Sequence, residues 1–224
     1  MTQTALRNPP SQRRGSEPTP LWQVESFVEK WSHADFMRHA PENKKAELVD
    51  GDFYVMPPPF YVHERLQVFL ITVLTIFVNR FDLGQILGSR TAVYISATDT
   101  YEPDILFVRR GREHIITQHE LVEAPDLVVE ILSKGTAHLD RGKKLQGYSA
   151  AGVRELWLID PYGLSGTQFF QRHGDALIEV APVEGFINSV TLPSFHLDTA
   201  CLWPDDSGNL PNPIDVLREL GALG

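Results

Sequence analysis

A single cysteine, Cys201, is the whole thiol content of this 224-residue chain. No internal disulfide can form, which suits a reducing cytoplasm, and Cys201 reads as a small apolar filler near the end of the fold. Basic charge is also scarce. Twenty Lys and Arg face 29 Asp and Glu, for a formal net charge of −9. Such a balance disfavours gripping nucleic acid by bulk electrostatics, so contact with DNA needs a local basic patch or bound cations. Long hydrophobic runs are missing too. The longest, "LQVFLITVLTIFV" at 66–78, is too short to span a bilayer and is flanked by charge. The N-terminal "MTQTALRNPPSQRRGSEPTP" lacks the apolar core of a signal peptide. No membrane role is expected, and the default location is cytoplasmic.

With 42% hydrophobic residues, the chain can fill one full core. Residues 1–19 are rich in Pro, Ser, Thr and Arg and read as a disordered tail. A single domain is expected over 20–200, followed by a tail at 201–224 that carries a short helix, "PIDVLREL". Within the domain, Thr19-Pro20 opens an expected amphipathic helix, "PLWQVESFVEKW". Asp50-Gly51 between two short extended runs marks a β-hairpin. The stretch 63–81 has no Gly or Pro and reads as a buried helix. Strands follow at 91–97, 103–108 and 126–132, then a helix at 137–152 stopped by Gly152, and a strand at 154–160. "GTQFFQRH" and "DALIEVAP" form a late hairpin. The strand–helix–strand unit over 126–160 has the length and apolar strands of a parallel crossover. The fold class is therefore α/β, with a mixed central sheet flanked by helices.

One residue sits badly in this pattern. "PDLVVEILS" (125–133) is an apolar strand with Glu130 in its middle. Strand interiors disfavour Glu, and buried acids are rare unless paired or bound to a metal. A second acid, Asp104, lies at the start of the neighbouring strand "ILFV". Two carboxylates ~4 Å apart repel by roughly 4 kcal/mol at an effective dielectric near 20, so they coexist by sharing a proton or a cation. Hard oxygen ligands without sulfur point to Mg²⁺ or Mn²⁺ rather than zinc. Lys144, in "DRGKKLQGY" on the next helix, is four residues from both Asp140 and Tyr148 and shares their stripe. Its amine could orient or deprotonate a water, or offset charge on phosphorus.

The ordered set "AELVDGDFYVMPPP", His63 opening a helix, "EPDILFV", "PDLVVEILS", "DRGKKLQGY" and "GVRELWLIDP" resembles the Uma-type restriction endonucleases of the PD-(D/E)XK nuclease superfamily. The resemblance covers roughly residues 20–200. It implies a restriction-endonuclease-like fold and metal-dependent hydrolysis of DNA phosphodiesters. Asp104 matches the first acid of the motif and Glu130 the second, and the Ile131 carbonyl joins them as a metal ligand. The usual lysine two residues after the second acid is absent, since Leu132 stands there, and Lys144 matches the position to which the family has moved it. Lys143 is the weaker substitute. Glu47 matches an acid before the hairpin turn and His63 a histidine at the start of the long helix.

Each residue has a plainer reading. Asp104 after Pro103 can satisfy turn amides, Lys144 can be a solvated helix charge paired with Asp140, Glu47 an ordinary hairpin residue, and His63 a helix cap. Asp126 reads as structural, Tyr148 and Trp157 as core, and His114 and His119 match no zinc spacing. The expected function is a metal-dependent endodeoxyribonuclease; the alternative is an inactive nuclease-fold scaffold or binding protein. Nucleases of this fold commonly pair as homodimers across a duplex, and an exposed edge near "GTQFFQRH" is the expected pairing surface.

Overall fold

The computed structural model describes residues 30–223. The expected disordered tail and nearly all of the expected helix at 20–31 lie outside these residues; Lys30 and Trp31 are not helical. The first described helix, α1 (His33–His39), begins after Ser32. The Ser32 hydroxyl accepts from the Asp35 amide while the Asp35 carboxylate accepts from the Ser32 amide, a closed capping box.

The hairpin of β1 (Ala46–Val49) and β2 (Asp52–Val55) turns on Asp50 and Gly51, with φ of 54° and 74°. Two left-handed residues in succession match the right-handed twist of the strands, and an Asp-Gly pair adopts them at low cost. The long helix α2 (Tyr61–Arg80) follows. Next come β3 (Gly84–Gly88), β4 (Ala92–Ser96), β5 (Asp99–Tyr101), β6 (Ile105–Arg109), β7 (Glu120–Leu121) and β8 (Leu127–Ile131). The helix expected over 137–152 is split: α3 (Ala137–Leu139), a π-helical turn at Asp140–Lys144, and α4 (Leu145–Ala151), ending on left-handed Gly152 as expected. The remaining elements are β9 (Glu155–Ile159), β10 (Gln168–His173), β11 (Ala176–Val180), β12 (Phe186–Asn188), β13 (His196–Asp198) and α5 (Pro213–Glu219).

A mixed six-stranded sheet, ordered β11-β10-β9-β8-β6-β3, forms the centre. β8 and β9 are parallel, as their crossover requires, and β6 runs antiparallel to β8. The sheet edge near "GTQFFQRH" is β11; β10 itself is paired on both sides, with β9 and β11. A second sheet, β2-β1-β5-β4-β7, covers part of one face of the first.

The period-2 alternation of strand side chains sorts residues between these layers. Ile105, Phe107, Leu127, Val129, Ile131, Trp157 and Ile159 face α2 and share its core, to which Leu202, Val216, Leu217 and Leu220 of the C-terminal segment also belong. Leu106, Val108, Val128, Leu156 and Leu158 face the other way, towards Val49, Val93, Tyr101 and Tyr148. Glu130 alternates with Val129 and Ile131, so it points away from α2 into the layer between the sheets. On β1, Ala46 and Leu48 pack outward with Phe36, leaving Glu47 on the face turned to the central sheet. Among the described helices α2 alone is long and apolar enough to cross a bilayer. Here it is the core helix, burying Phe69, Leu70, Val73, Leu74, Phe77 and Val78.

Phe77 is fully buried and meets the Phe195 ring edge-on at 4.9 Å. Truncation of a buried aromatic typically costs about 3–5 kcal/mol through lost transfer energy and the cavity left behind. Phe77→Ala is expected to lose that much in urea denaturation followed by circular dichroism.

Candidate active site

The acids and amines singled out in the sequence meet where the first sheet faces the second. The antiparallel register sets Ile105 opposite Val129, so Asp104, one residue before β6, falls opposite Glu130. The Asp104 carboxylate is held on three sides. Its Oδ1 accepts from Lys45 Nζ at 2.8 Å. Its Oδ2 accepts from the Ile131 backbone amide at 2.8 Å and lies 3.2 Å from His63 Nε2. The Asp104 carbonyl accepts from Gln67 Nε2, one turn further along α2 than His63.

Beside it, Lys144 is the centre of a second cluster. Its ammonium lies 2.8 and 3.0 Å from the two oxygens of Glu47, 2.7 Å from Glu130 Oε1 and 2.9 Å from Asp140 Oδ1. An ammonium has three protons, and here three carboxylates surround it. Glu130 Oε1 also accepts from the Tyr148 hydroxyl at 2.5 Å, so Tyr148 is a core residue whose polar end reaches the cluster. The Lys144 ammonium sits 5.6 Å from the Tyr101 ring. Tyr101 fits there because residue 147 is glycine: a Cβ at that position would collide with the Tyr101 hydroxyl. The π-helical turn over Asp140–Lys144 carries two members of the cluster. Such widened turns occur chiefly where a helix must present particular side chains.

Glu47, Asp104, Glu130, Asp140 and Lys144 are all at most 5% exposed. Lys45 and His63 are the open members, with side chains 23% and 12% exposed. Access from solvent therefore runs past those two. Burial works against the charge on every buried group. For Asp104 it is outweighed by Lys45 and His63, which hold the carboxyl well below its ordinary range. For Lys144 burial is likewise outweighed, by Asp140, Glu130 and Glu47, and the ammonium is held well above its usual range. Lys45 is raised against burial by Asp104, Glu130 and Glu47. Burial prevails for Glu47, Glu130 and Asp140, whose carboxyls are pushed up despite Lys144. Both lysine shifts favour the ammonium form, the form in which a lysine donates and orients.

Lys45 was not among the expected residues. Its signal lay in the strand period: it is two residues before Glu47 and shares that residue's face. Asp140 was legible only as a helix partner of Lys144. Lys143 lies outside the cluster, bonded to exposed Asp50 at 2.8 Å. Asp126 is a staple, accepting from the Arg109 amide and from Arg112 Nη1.

Four carboxylates, on Glu47, Asp104, Glu130 and Asp140, stand against two ammonium groups, on Lys45 and Lys144. That excess of hard oxygen donors suits a divalent cation of the Mg²⁺ or Mn²⁺ type. With the lysines in place, among the described residues no three His, Cys, Asp or Glu side chains close on a common point. Asp104 and Glu130, opposed across β6 and β8, are the acids whose oxygens could hold such an ion, and each is bonded to a lysine, Lys45 and Lys144.

Removing one partner from a buried ion cluster costs about 3–5 kcal/mol because the charges left behind are unpaired. Lys144→Met is expected to lose that much at pH 7 in urea denaturation. The loss should shrink towards pH 5, because the raised carboxyls of Glu47, Glu130 and Asp140 bind protons more tightly folded than unfolded, so falling pH favours the folded state. Nearby Glu102 is pushed up from 4.5 to about 7 by burial, against the Ala46 amide it accepts from. The folded protein then binds more protons than the unfolded chain between those values, and stability falls as pH rises from 4.5 to 7. Glu102→Gln should flatten that part of the pH profile of the melting temperature.

Comparison with known proteins places this arrangement. A curated relative, the uncharacterized protein slr1290 of Synechocystis sp., is 31% identical over 121 residues, covering 53% of this chain and 61% of the relative. The chain thus matches less than two thirds of that relative's length. A solved structure titled as "a putative nuclease belonging to DUF820" from Anabaena variabilis superposes with a TM-score of 0.64 over 77% of this chain and 97% of that one. At 18% identity it shares the fold. The profile of the Uma2 family, described as "Putative restriction endonuclease", matches residues 33–200, a span that contains every member of the cluster from Lys45 to Tyr148. On that match the chain belongs to the Uma2 family.

Proposed function

We propose that the chain is a metal-dependent endonuclease that hydrolyses DNA phosphodiester bonds. The observation that carries the reading is the buried surplus of carboxylate gathered around Asp104 and Glu130, with its open side at Lys45 and His63. Family membership agrees with a nuclease-like role. In this reading Asp104, Glu130 and the Ile131 carbonyl hold Mg²⁺ or Mn²⁺. The bound ion supplies Lewis-acid polarisation of the phosphoryl oxygen and a more acidic water.

The chain's own residues do the rest. Lys45, the amine nearest solvent, donates to a phosphoryl oxygen or to the attacking water and offsets charge on phosphorus. His63 and the Ile131 amide fix the rotamer of Asp104. Lys144 and the Tyr148 hydroxyl fix Glu130, which makes them positioning residues. With the ammonium form of both lysines favoured, the acceptor for the water's proton is a carboxylate outside the ligand set, Glu47, whose basicity burial raises. Action in the cytoplasm and pairing of two chains belong to the same proposal.

A second reading is a scaffold that keeps the fold without the chemistry. It is favoured by the complete pairing of Lys144 and by the net charge of −9. Nicking of supercoiled plasmid separates the two. The wild-type chain should nick with Mg²⁺ or Mn²⁺ and not with EDTA. Asp104→Asn and Glu130→Gln should each lower the rate at least about 100-fold, or ~2.7 kcal/mol, with circular dichroism unchanged. Nicking that persists in the double variant ends the nuclease reading. Absence of nicking together with no Mn²⁺ binding at millimolar concentration by calorimetry supports the scaffold.

A further inference from the structure

We propose that an exposed aromatic rim at the start of α2 and just past the end of β9 is a platform for the unpaired bases of a single nucleic-acid strand. The inference rests on the nuclease reading for its location and adds to it the class of substrate.

Phe60, Tyr61 and Tyr162 are 68%, 75% and 65% exposed. Large aromatic faces left in water usually mark a recognition surface. The two segments that carry them meet at one cavity. Tyr61 and Pro161 line the same apolar cavity of about 80 Å³, with Leu66, Leu202 and Leu210 behind them. Phe60 precedes Tyr61 and Tyr162 follows Pro161. Two cations stand at ring faces: the Arg65 guanidinium is 5.5 Å from the Tyr61 ring centre and Lys134 Nζ is 5.7 Å from that of Tyr162. Of the acids at this rim, Glu64 is half exposed, and Asp160 accepts from the Tyr162 amide.

This mouth shares its chain segments with the candidate active site. Tyr61 is two residues from His63, which touches Asp104, and Lys134 is three residues past Ile131, whose amide also holds Asp104. Both approaches lie at the carboxyl ends of parallel strands β8 and β9, where open α/β sheets bind their ligands. The occupant follows from the chemistry. Aromatic faces stack with bases, and neighbouring cations meet phosphates. A chain with net charge −9 cannot hold a polyanion by bulk attraction, so stacking has to supply part of the affinity. A duplex hides its base faces, and an unpaired strand offers them.

The test uses the full chain carrying Asp104→Asn, so that binding is read without cleavage. Fluorescence anisotropy compares a labelled 12-nucleotide single strand, as DNA and as RNA, with the same sequence as a blunt duplex. A single strand of either sugar should bind at least about tenfold tighter than the duplex. Phe60→Ala and Tyr162→Ala should each weaken that binding by about 5- to 150-fold, the range that corresponds to ~1–3 kcal/mol per stacked base. Phe81→Ala, at the opposite end of α2 and roughly 30 Å away, should leave it unchanged. Equal affinity for duplex and single strand, indifference to the two rim substitutions, or no binding at all overturns the platform. Single-strand binding without nicking by the wild-type chain leaves the platform standing and removes the nuclease reading. Nicking with rim-independent binding does the reverse.

Discussion

The Lys144 ammonium, enclosed by the carboxylates of Glu47, Glu130 and Asp140, is the contact on which the interior of this protein depends. Each of those ions costs several kcal/mol to bury, and attraction at 2.7–2.9 Å recovers that only while every partner stays in place. The three acids come from β1, from β8 and from the π-helical turn, so a single amine ties the second sheet, the central sheet and the crossover helix together. Lys45 does the same on a smaller scale, joining β1's leading end to Asp104. With two amines for four acids, the balance is incomplete. Protons or a divalent cation must supply the remainder, and that need turns a structural ion cluster into a candidate for chemistry.

The layers explain why the cluster forms where it does. Glu130 is set in an apolar strand because its neighbours Val129 and Ile131 face α2 while it faces the second sheet. The carboxylate would be a defect against a helix of Phe and Leu. Against β1, whose inner face offers Lys45 and Glu47, and against a helical stripe of Asp140, Lys144 and Tyr148, it has partners. The arrangement also grades the site from inside to outside. Lys144 is sealed and keeps geometry, whereas Lys45 and His63 stand at the opening.

Much of this was legible in the sequence because it is encoded locally. Asp50-Gly51 dictated the hairpin, the Gly- and Pro-free stretch dictated α2, and the apolar runs around Val128 and Leu156 dictated the parallel crossover. The misplaced charge of Glu130 pointed to a partner before any partner was known. Features that depend on distant contacts were not legible. The short strands β5 and β7 exist only because the second sheet pairs them, and "DTY" carries no apolar period of its own. β3, bounded by Gly84 and Gly88, reads as a loop until β6 pairs with it. The π-helical turn follows from side chains that must converge, which no helix propensity records. Lys45 was missed because a lysine in "NKKAEL" resembles a solvated charge. Its meaning appears only when β1 lies beside Asp104. The pairing of β10 with β11 was legible as a hairpin; that β9 closes its other side was not.

The most direct test is a crystal of the wild-type chain soaked in Mn²⁺ and measured for anomalous scattering. If the surplus carboxylate is a cation site, one strong anomalous peak will lie within about 2.0–2.3 Å of oxygens from Asp104 and Glu130, joined by the Ile131 carbonyl. A map with no peak there, and with Lys45 and Lys144 still bonded to the same acids, contradicts it and leaves a charge cluster that serves the fold alone.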